Sequence, residues 1–443
     1  NTEKPGNWYF FPVGSIKMKD KISTLWSKIY NLKNKIAFFP SIIALAGVVF
    51  AYIMMSLENL GVSAYFQDFL PGLVINDIET ARTILSTFIA GLISIMVFSF
   101  SMVMILLNQA SSNFSPRLLP GLISNRRHQI VLGIYLFTII YCILILVFIE
   151  PTGKKYQLPG FSVLLSIVFM ISSLASFIYF IHSISQEIQI NNILLKIYKS
   201  SEKKLQHLIN EEKNFKKEEI DTNNWLSHKT KCTGYFKTLS LDILVELACK
   251  NNFKLEILAN KGSYCNEGDI LFKTNIEIKE EILEKIYDNF NFSKGELIDN
   301  NYLLAFKQIT EVAVKSMSPG INDPGTAINA IDYLSELLIL RVQKKNIDIK
   351  LKDNKVFVLV NSINFKDLLY NIMAPLRTYC SHDVIIVTKL LGSLNNIKKK
   401  SSFTEYNTII NTEINYLLTD AEKNICNKED YKRLENYAAN LSQ

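Results

Sequence analysis

Residues 84–109 read ILSTFIAGLISIMVFSFSMVMILLNQ, and residues 130–149 read IVLGIYLFTIIYCILILVFI. The polar stretch NQASSNFSPRLLPGLISNRRHQ (108–129) joins them. Each apolar run has the roughly 20 residues that a helix needs to cross the hydrocarbon of a bilayer. The first run is not uniformly apolar. Thr87, Gly91, Ser94, Ser101, Asn108 and Ser112 recur at steps of three, four or their sums, with Phe98 and Ile105 in the gaps. That register puts a mostly small or polar stripe on one helix face. Such a stripe serves close helix packing, with hydroxyls bonded to their own helix, or the lining of a water-filled pore.

Two further apolar runs, at about Ile36–Leu57 and about Phe161–Ile181, bring the expected spans to four, the middle two being about Ile84–Leu107 and Ile130–Ile149. No Asp, Glu, Lys or Arg lies within any of the four apolar cores. This argues against a proton-coupled carrier or a voltage sensor, which need intramembrane charge.

The chain has 443 residues, 49% hydrophobic and only 20% charged, but unevenly spread. The apolar runs lie before about residue 190, and charge and Asn dominate after it. This is the pattern of a membrane half followed by a soluble half. The net charge of +7 is modest, and membrane-flanking Lys and Arg account for it, so nucleic acid is not an expected partner. The six cysteines form no CxxC and fit reduced thiols in a cytosolic domain. His128, His182, His207, His228 and His382 are dispersed, so neither a metal nor another cofactor is expected.

The first 35 residues carry seven Lys and a Pro-Gly break, which is not a secretory-signal pattern. They contain an aromatic cluster, NWYFFPVG, suited to a membrane interface or to a protein contact, and then a basic amphipathic segment suited to a lipid surface. The loop between spans one and two holds Glu58, Asp68, Asp77 and Glu79 against Arg82. The loop between spans two and three holds Arg117, Arg126 and Arg127. The positive-inside rule therefore predicts both termini and the FSPRLLP loop of a multi-pass protein in the cytoplasm.

The expected fold is a four-helix transmembrane domain followed by a cytosolic α/β domain with helix in excess. The expected division is a basic segment over 1–35, the transmembrane domain over 36–183, a helical extension and charged linker over 184–230, and the soluble domain over 231–443. Span four reads as continuing without a break. Ile184, Ile188, Leu195, Tyr198, Leu205 and Ile209 hold an alternating four-and-three step, with Asn191 and Glu202 interrupting it. That is a candidate self-association seam, or the face of a helix packed on its own domain.

In the soluble half, GYFKTLS, LDILVELACKNN and FKLEILANKGSYCNEGDILFK read as strand, helix, and strand–turn–strand, with Gly262 and Gly268 in turns. Helices are expected over Glu277–Asn289, Leu303–Met317 and Pro324 to about Val342, a strand over 356–360, and helix thereafter. In SPGINDPGTA, Asp323 before Pro324 is a helix-start signal. The alternative is a polar ligand pocket of Ser318, Asn322, Asp323 and Thr326, with too few oxygens for a metal cage. Ser115 and Arg117 lie just past span two. Arg117 would face phosphates or cap a helix, or would form a ring at the cytoplasmic mouth of a pore. There is no GxGxxG, P-loop or GxSxG, and no catalytic constellation.

The segments DIETARTILSTFIAG (77–91), VFSFSMVMILLNQASSNFSPRLLPGL (97–122), HQIVLGIY (128–135) and EVAVKSMSPGINDPGTAINAIDYL (311–334) resemble a bacterial family of predicted membrane proteins catalogued as a domain of unknown function. GYFKTLSLDILVELA and NKGSYCNEGDIL resemble its soluble region, so the resemblance covers about residues 36–395. Asn301 stands where the family pattern tends to place Asp. The resemblance implies four membrane helices and a cytosolic domain, and no established activity. Two functions are therefore carried forward, and an enzyme is not expected. One is a homo-oligomeric ion channel or transporter-like pore with a regulatory cytosolic domain. The other is a membrane-anchored ligand sensor or scaffold without conduction.

Overall fold

A computed structural model describes residues 37–63, 65, 75, 77–113, 126–149, 160–187, 189–213, 220–294, 301–352 and 355–442. The basic N-terminal segment, Ser115 and Arg117 lie outside the described residues. Backbone proximity divides the chain into two units, Asn1–Gln109 with Leu119–Glu187, and Ala110–Leu118 with Ile188–Gln443.

The first unit contains helices α1 (Phe38–Asn59), α2 (Ile78–Asn113), α3 (Arg126–Phe148) and α4 (Gly160–Glu187). All four are long and apolar enough to cross a membrane. They run further than their apolar cores. Asp77 caps the start of α2, its Oδ2 accepting the amide hydrogen of Thr80 at 2.8 Å, seven residues before the expected span. At 36 residues α2 is about 54 Å long at 1.5 Å per residue, well beyond a hydrocarbon core of about 30 Å.

The sequence sets α3 at the centre of this unit. Gly47 of α1 brings the two helices so close that a Cβ there would lie 3.0 Å from the carbonyl oxygen of Phe137. Gly133 of α3 meets Ile43 in the same way. Around that contact Phe50, Phe137, Tyr141 and Phe169 form an aromatic cluster with centroids 5.1–6.5 Å apart. Helix α2 joins through Ala81 and Leu85, which are fully buried beside Tyr141, Cys142 and Val163.

Helix ends with unpaired backbone groups are tied at one end of this unit. Glu58, in the last turn of α1, accepts the backbone and hydroxyl hydrogens of Ser162 at 2.8 Å each, so a buried carboxylate sits on the positive N-terminus of α4. Arg82 of α2 donates to the carbonyl of Ile149 at 3.2 Å, just past the end of α3. Read from the sequence, both residues belonged to a loop, but the helices extend to include them.

The long segment of the second unit, from residue 188 on, opens with α5 (Ile190–Lys213). It is separate from α4, so the unbroken continuation expected of span four is corrected; residue 188 lies outside the described residues. Ile193, Leu194 and Leu205 of α5 are buried in the unit's main helical core, and Tyr198 packs on Tyr333 at 5.0 Å. The apolar face of α5 is thus used within its own unit, not free as a seam for a second chain.

Strands β1 (Leu226–Lys229), β2 (Gly234–Leu239), β3 (Leu255–Ile257), β4 (Tyr264–Cys265), β5 (Ile270–Thr274), β6 (Phe290–Ser293), β7 (Ile347–Lys352) and β8 (Lys355–Asn361) form two sheets. The larger has the order β1-β5-β3-β8-β7, with β3 and β8 parallel and the other pairs antiparallel. The smaller has the order β4-β2-β6. Helices α6 (Leu241–Asn251) and α7 (Glu280–Tyr287) share the sheet core, around Phe236, Leu244, Phe272 and Ile286. Gly262 and Gly268 take φ of +93° and +94°, as their turns require. The sequence reading had not assigned β1, which it placed in the linker over 184–230, nor β6 or β7.

The helical core holds α8 (Tyr302–Ser316), α9 (Pro324–Arg341), α10 (Phe365–Cys380), α11 (Val384–Lys400), α12 (Thr404–Asn424) and α13 (Lys428–Ser442). Arg341 is fully buried. It donates to the carbonyls of Lys344 (2.8 Å) and Ile363 (2.8 Å) and to Asn346 Oδ1 (2.7 Å). This knot ties the end of α9 to the entry of β7 and the exit of β8. A second buried cation, Arg377 of α10, pairs with Glu413 and with Asp420 (3.0 Å) of α12, between the rings of Tyr370 and Tyr416.

Candidate functional site

Three places answer to the residues that the sequence singled out or that the fold brings together. The first is SPGINDPGTA. Asp323 Oδ1 accepts the amide of Thr326 at 3.1 Å, and Oδ2 accepts its hydroxyl at 2.6 Å. These bonds hold the Asp323 carboxyl below its ordinary value of 3.8. Asn322 takes φ +48°, and Ser318 donates to the carbonyl of Lys315 at 2.6 Å. The four residues thus build a turn and a helix start. None of the four lines the groove described below; Asn322 and Asp323 are exposed while Thr326 is buried.

The second place is the stripe on α2. Thr87, Ser94, Ser101 and Asn108 are exposed on the outside of the first unit, and Gly91 is half-buried near Met170. The opposite face, with Ala81, Leu85, Leu92, Ser99 and Leu106, is buried. Thr87 donates to the carbonyl of Thr83 (2.7 Å), Ser94 to Ala90 (3.0 Å) and Ser101 to Val97 (2.9 Å). The hydroxyls are therefore satisfied by their own helix. Phe98 and Ile105, 50% and 61% exposed, share that outward face, so it is a mixed surface and not a wholly polar one. Ser112 continues the helix, and its side chain, with Ser115 and Arg117, lies outside what is described.

The third place went unrecognised in the sequence. A groove of about 1040 Å³ lies between α8, α10 and the turn of residues 260–263. Phe306, Val314, Leu368 and Ile372 make an apolar floor. Lys261, Lys307, Glu311 and Lys315 bring charge to it. Asn301 fixes its entrance: its Oδ1 accepts the amide of Leu303 at 3.1 Å as the cap of α8, and its Nδ2 donates to the carbonyl of Lys261 at 2.9 Å. The turn is closed by Ser263, whose hydroxyl donates to the carbonyl of Asn260 at 2.7 Å. Asn260 Oδ1 is buried in this wall with no hydrogen-bond partner. The only sequence signal was the row Lys307–Glu311–Lys315 at four-residue steps, which reads equally as a solvated helix face.

Among the described residues, no three His, Cys, Asp or Glu side chains come together as metal ligands. His228 shows the pattern. It lies on Phe272 at 4.8 Å and bonds Thr274 Oγ1 at 2.9 Å, and burial pulls its pKa down.

Four long apolar helices ahead of a mixed helix-and-sheet unit define a multi-pass membrane protein. The chain belongs to the family described as "Predicted membrane protein (DUF2254)", which matches residues 33–396. It is similar to uncharacterized proteins of Mycobacterium bovis and Mycobacterium tuberculosis, at 22% identity over 382 residues, covering 82% of this chain and 72% of each relative. No solved structure matches it.

Proposed function

We propose that this protein is a membrane-anchored ligand sensor. In this reading the four helices hold it in a bacterial inner membrane with both termini in the cytoplasm, and the second unit binds a small molecule in the groove between α8 and α10. The observation that carries the reading is the groove itself. Its volume of about 1040 Å³ is at the upper end for small-molecule sites, and an apolar floor with a few convergent polar groups is what such sites share. No catalytic step is assigned to it. The chemistry is binding, and α8 and α10 are the elements that occupancy would bias.

A thermal-shift screen of the full chain in nanodiscs tests this, using a panel of small metabolites. Stabilisation by one class is expected, and its loss when Val314→Trp fills the floor. Stabilisers that act equally on Val314→Trp would overturn the site.

The pore reading rests on a different observation, the outward Thr87–Asn108 stripe. Around a symmetry axis of a homo-oligomer, that face of α2 would line a path for ions. Flux through liposomes holding the purified chain, reduced by Ser94→Leu, would favour it. Self-association and conduction stand or fall together with that face, independently of the groove.

A further inference from the structure

We propose that the outer face of α5 docks lengthwise on anionic phospholipid headgroups of the bilayer that α4 crosses, so that this helix responds to the charge of the lipid beside it. Neither the groove nor the stripe on α2 enters into this contact.

Packing decides which side of α5 is free. Ile193, Leu194, Ser201, Leu205 and Ile209 are buried, and Tyr198 lies on Tyr333. The other side carries Lys196, Lys199, Lys203 and Lys204, with Ser200 among them, and all five are exposed. Steps of three and four keep Lys196, Lys199, Ser200 and Lys203 on one face, with Lys204 at its edge. Among the described residues, none of the four lysines has an ion-pair partner. Glu202, the one acid between them, turns instead to Tyr198 and Gln206, its Oε1 accepting from them at 3.0 and 3.4 Å. Among the described residues of α5 no large apolar side chain is exposed. The face therefore suits charge contact at the level of the headgroups and not insertion among acyl chains.

The order of charge along α5 points the same way. Residues 190–204 carry four lysines against Glu202, a net charge of +3, whereas Glu211 and Glu212 stand near the far end. A helix on its own favours the reverse, acids at its N-terminus and bases at its C-terminus. The first turn of α5 holds no acid. Helix stability thus does not account for lysines first and glutamates last, and a negative surface beside the start of the helix does.

The chain supplies that surface. Helix α4, long and apolar enough to cross a membrane, ends at Glu187, and α5 starts at Ile190. Three peptide steps reach at most about 11 Å. The lysines then follow within eight residues, about 12 Å of helix. A cluster of Lys directly after a span draws anionic headgroups, with an attraction that fades over about 8 Å at physiological salt.

The test uses the full chain in nanodiscs. The exposed Cys232 and Cys426 are replaced by Ser, and a bimane label is attached at Ser200→Cys, in the middle of the lysines. A trace of phosphatidylcholine with a nitroxide on its headgroup quenches the label when the face is docked. Quenching should be stronger in phosphatidylglycerol discs than in phosphatidylcholine discs, and added salt should remove the difference. Each lysine near the surface should shift the ratio of docked to free by about fivefold. Lys196→Gln/Lys199→Gln and Lys203→Gln/Lys204→Gln should therefore each lose part of the difference, and the variant with all four changed should lose all of it. Gln keeps helix propensity, and an unchanged thermal midpoint in phosphatidylcholine discs checks that α5 is intact.

Quenching that is the same in both lipids, or that stays stronger in phosphatidylglycerol without the four lysines, overturns the proposal. A label that ignores both lipids but responds to added polyglutamate also overturns it, and gives the face to an acidic protein. A loss confined to the first pair of lysines overturns lengthwise docking.

Discussion

At the scale of single residues, this protein uses its polar side chains mainly to finish backbone structure. Asp323 is the clearest case. Its carboxylate accepts both the hydroxyl and the amide of Thr326, and these bonds depress its pKa below 3.8. A group with a depressed folded pKa contributes fully above its unfolded value and loses that contribution as pH falls through the folded one. Asp323→Ala should therefore cost about 1 kcal/mol near neutral pH, typical of a lost N-cap. The readout is a roughly fivefold fall in hydrogen-exchange protection across the first turn of α9, since 1.4 kcal/mol is tenfold. The gap should be full above pH 3.8 and close as pH falls through the lower folded pKa. A gap that does not narrow at all on acidification would mean that the carboxylate is not the group holding this turn. Arg341 does similar work inside the fold, closing three acceptors with no carboxylate bonded to it among the described residues. Sequence showed the Asp-Pro cap because cap and helix are adjacent in the chain. It could not show Arg341, because Ile363 lies 22 residues away.

At the scale of elements, small residues decide how closely helices approach. A Cβ on Gly47 would meet the backbone oxygen and Cα of Phe137 at 3.0 and 3.1 Å, and backbone cannot rotate away. A Cβ on Gly133 would lie 2.5 Å from the Cδ1 tip of Ile43, which another rotamer can move, but also 3.0 Å from its Cβ, which no rotamer moves. Gly47→Ala and Gly133→Ala should thus each force α1 and α3 apart. The expected result is a thermal midpoint in detergent below that of the wild type for both variants. An unchanged midpoint for Gly47→Ala would show that the two helices do not touch through Gly47. The spans themselves were legible, since a long apolar run has few other fates. Their ends were not, because Glu58 and Arg82 look like loop charges until their partners, Ser162 and Ile149, are brought beside them. Strand β6 was missed for the same reason. FNFS is four residues long, and its edge pairing with β2 comes from a segment more than fifty residues earlier.

At the scale of the whole molecule, the question is whether the outward face of α2 meets lipid, water or another chain. Helix α2 is the outlying member: only 17% of its apolar window is buried, against 44% for α3. Its register sends Leu85, Leu92, Ser99 and Leu106 inward, and Ser94 and Ser101 outward. The sequence carried that register in full, as a repeat of small and polar residues. What it could not carry was direction, because a stripe facing lipid, a neighbour or a pore obeys the same spacing. The hydrogen bonds to Ala90 and Val97 make all three environments chemically tolerable for the two serines. Cross-linking separates them. With the exposed Cys232 and Cys426 replaced by Ser, Ser94→Cys and Ser101→Cys should each form an intermolecular disulfide in native membranes under mild oxidation, while Leu92→Cys and Leu106→Cys should not. The requirement is strict, since the two Cα atoms must come within about 7 Å. A homo-oligomer built around α2 meets it for both outward positions at once. If neither outward cysteine pairs, and both react instead with a lipid-soluble maleimide, the face of α2 lies against acyl chains, and conduction along it has no path.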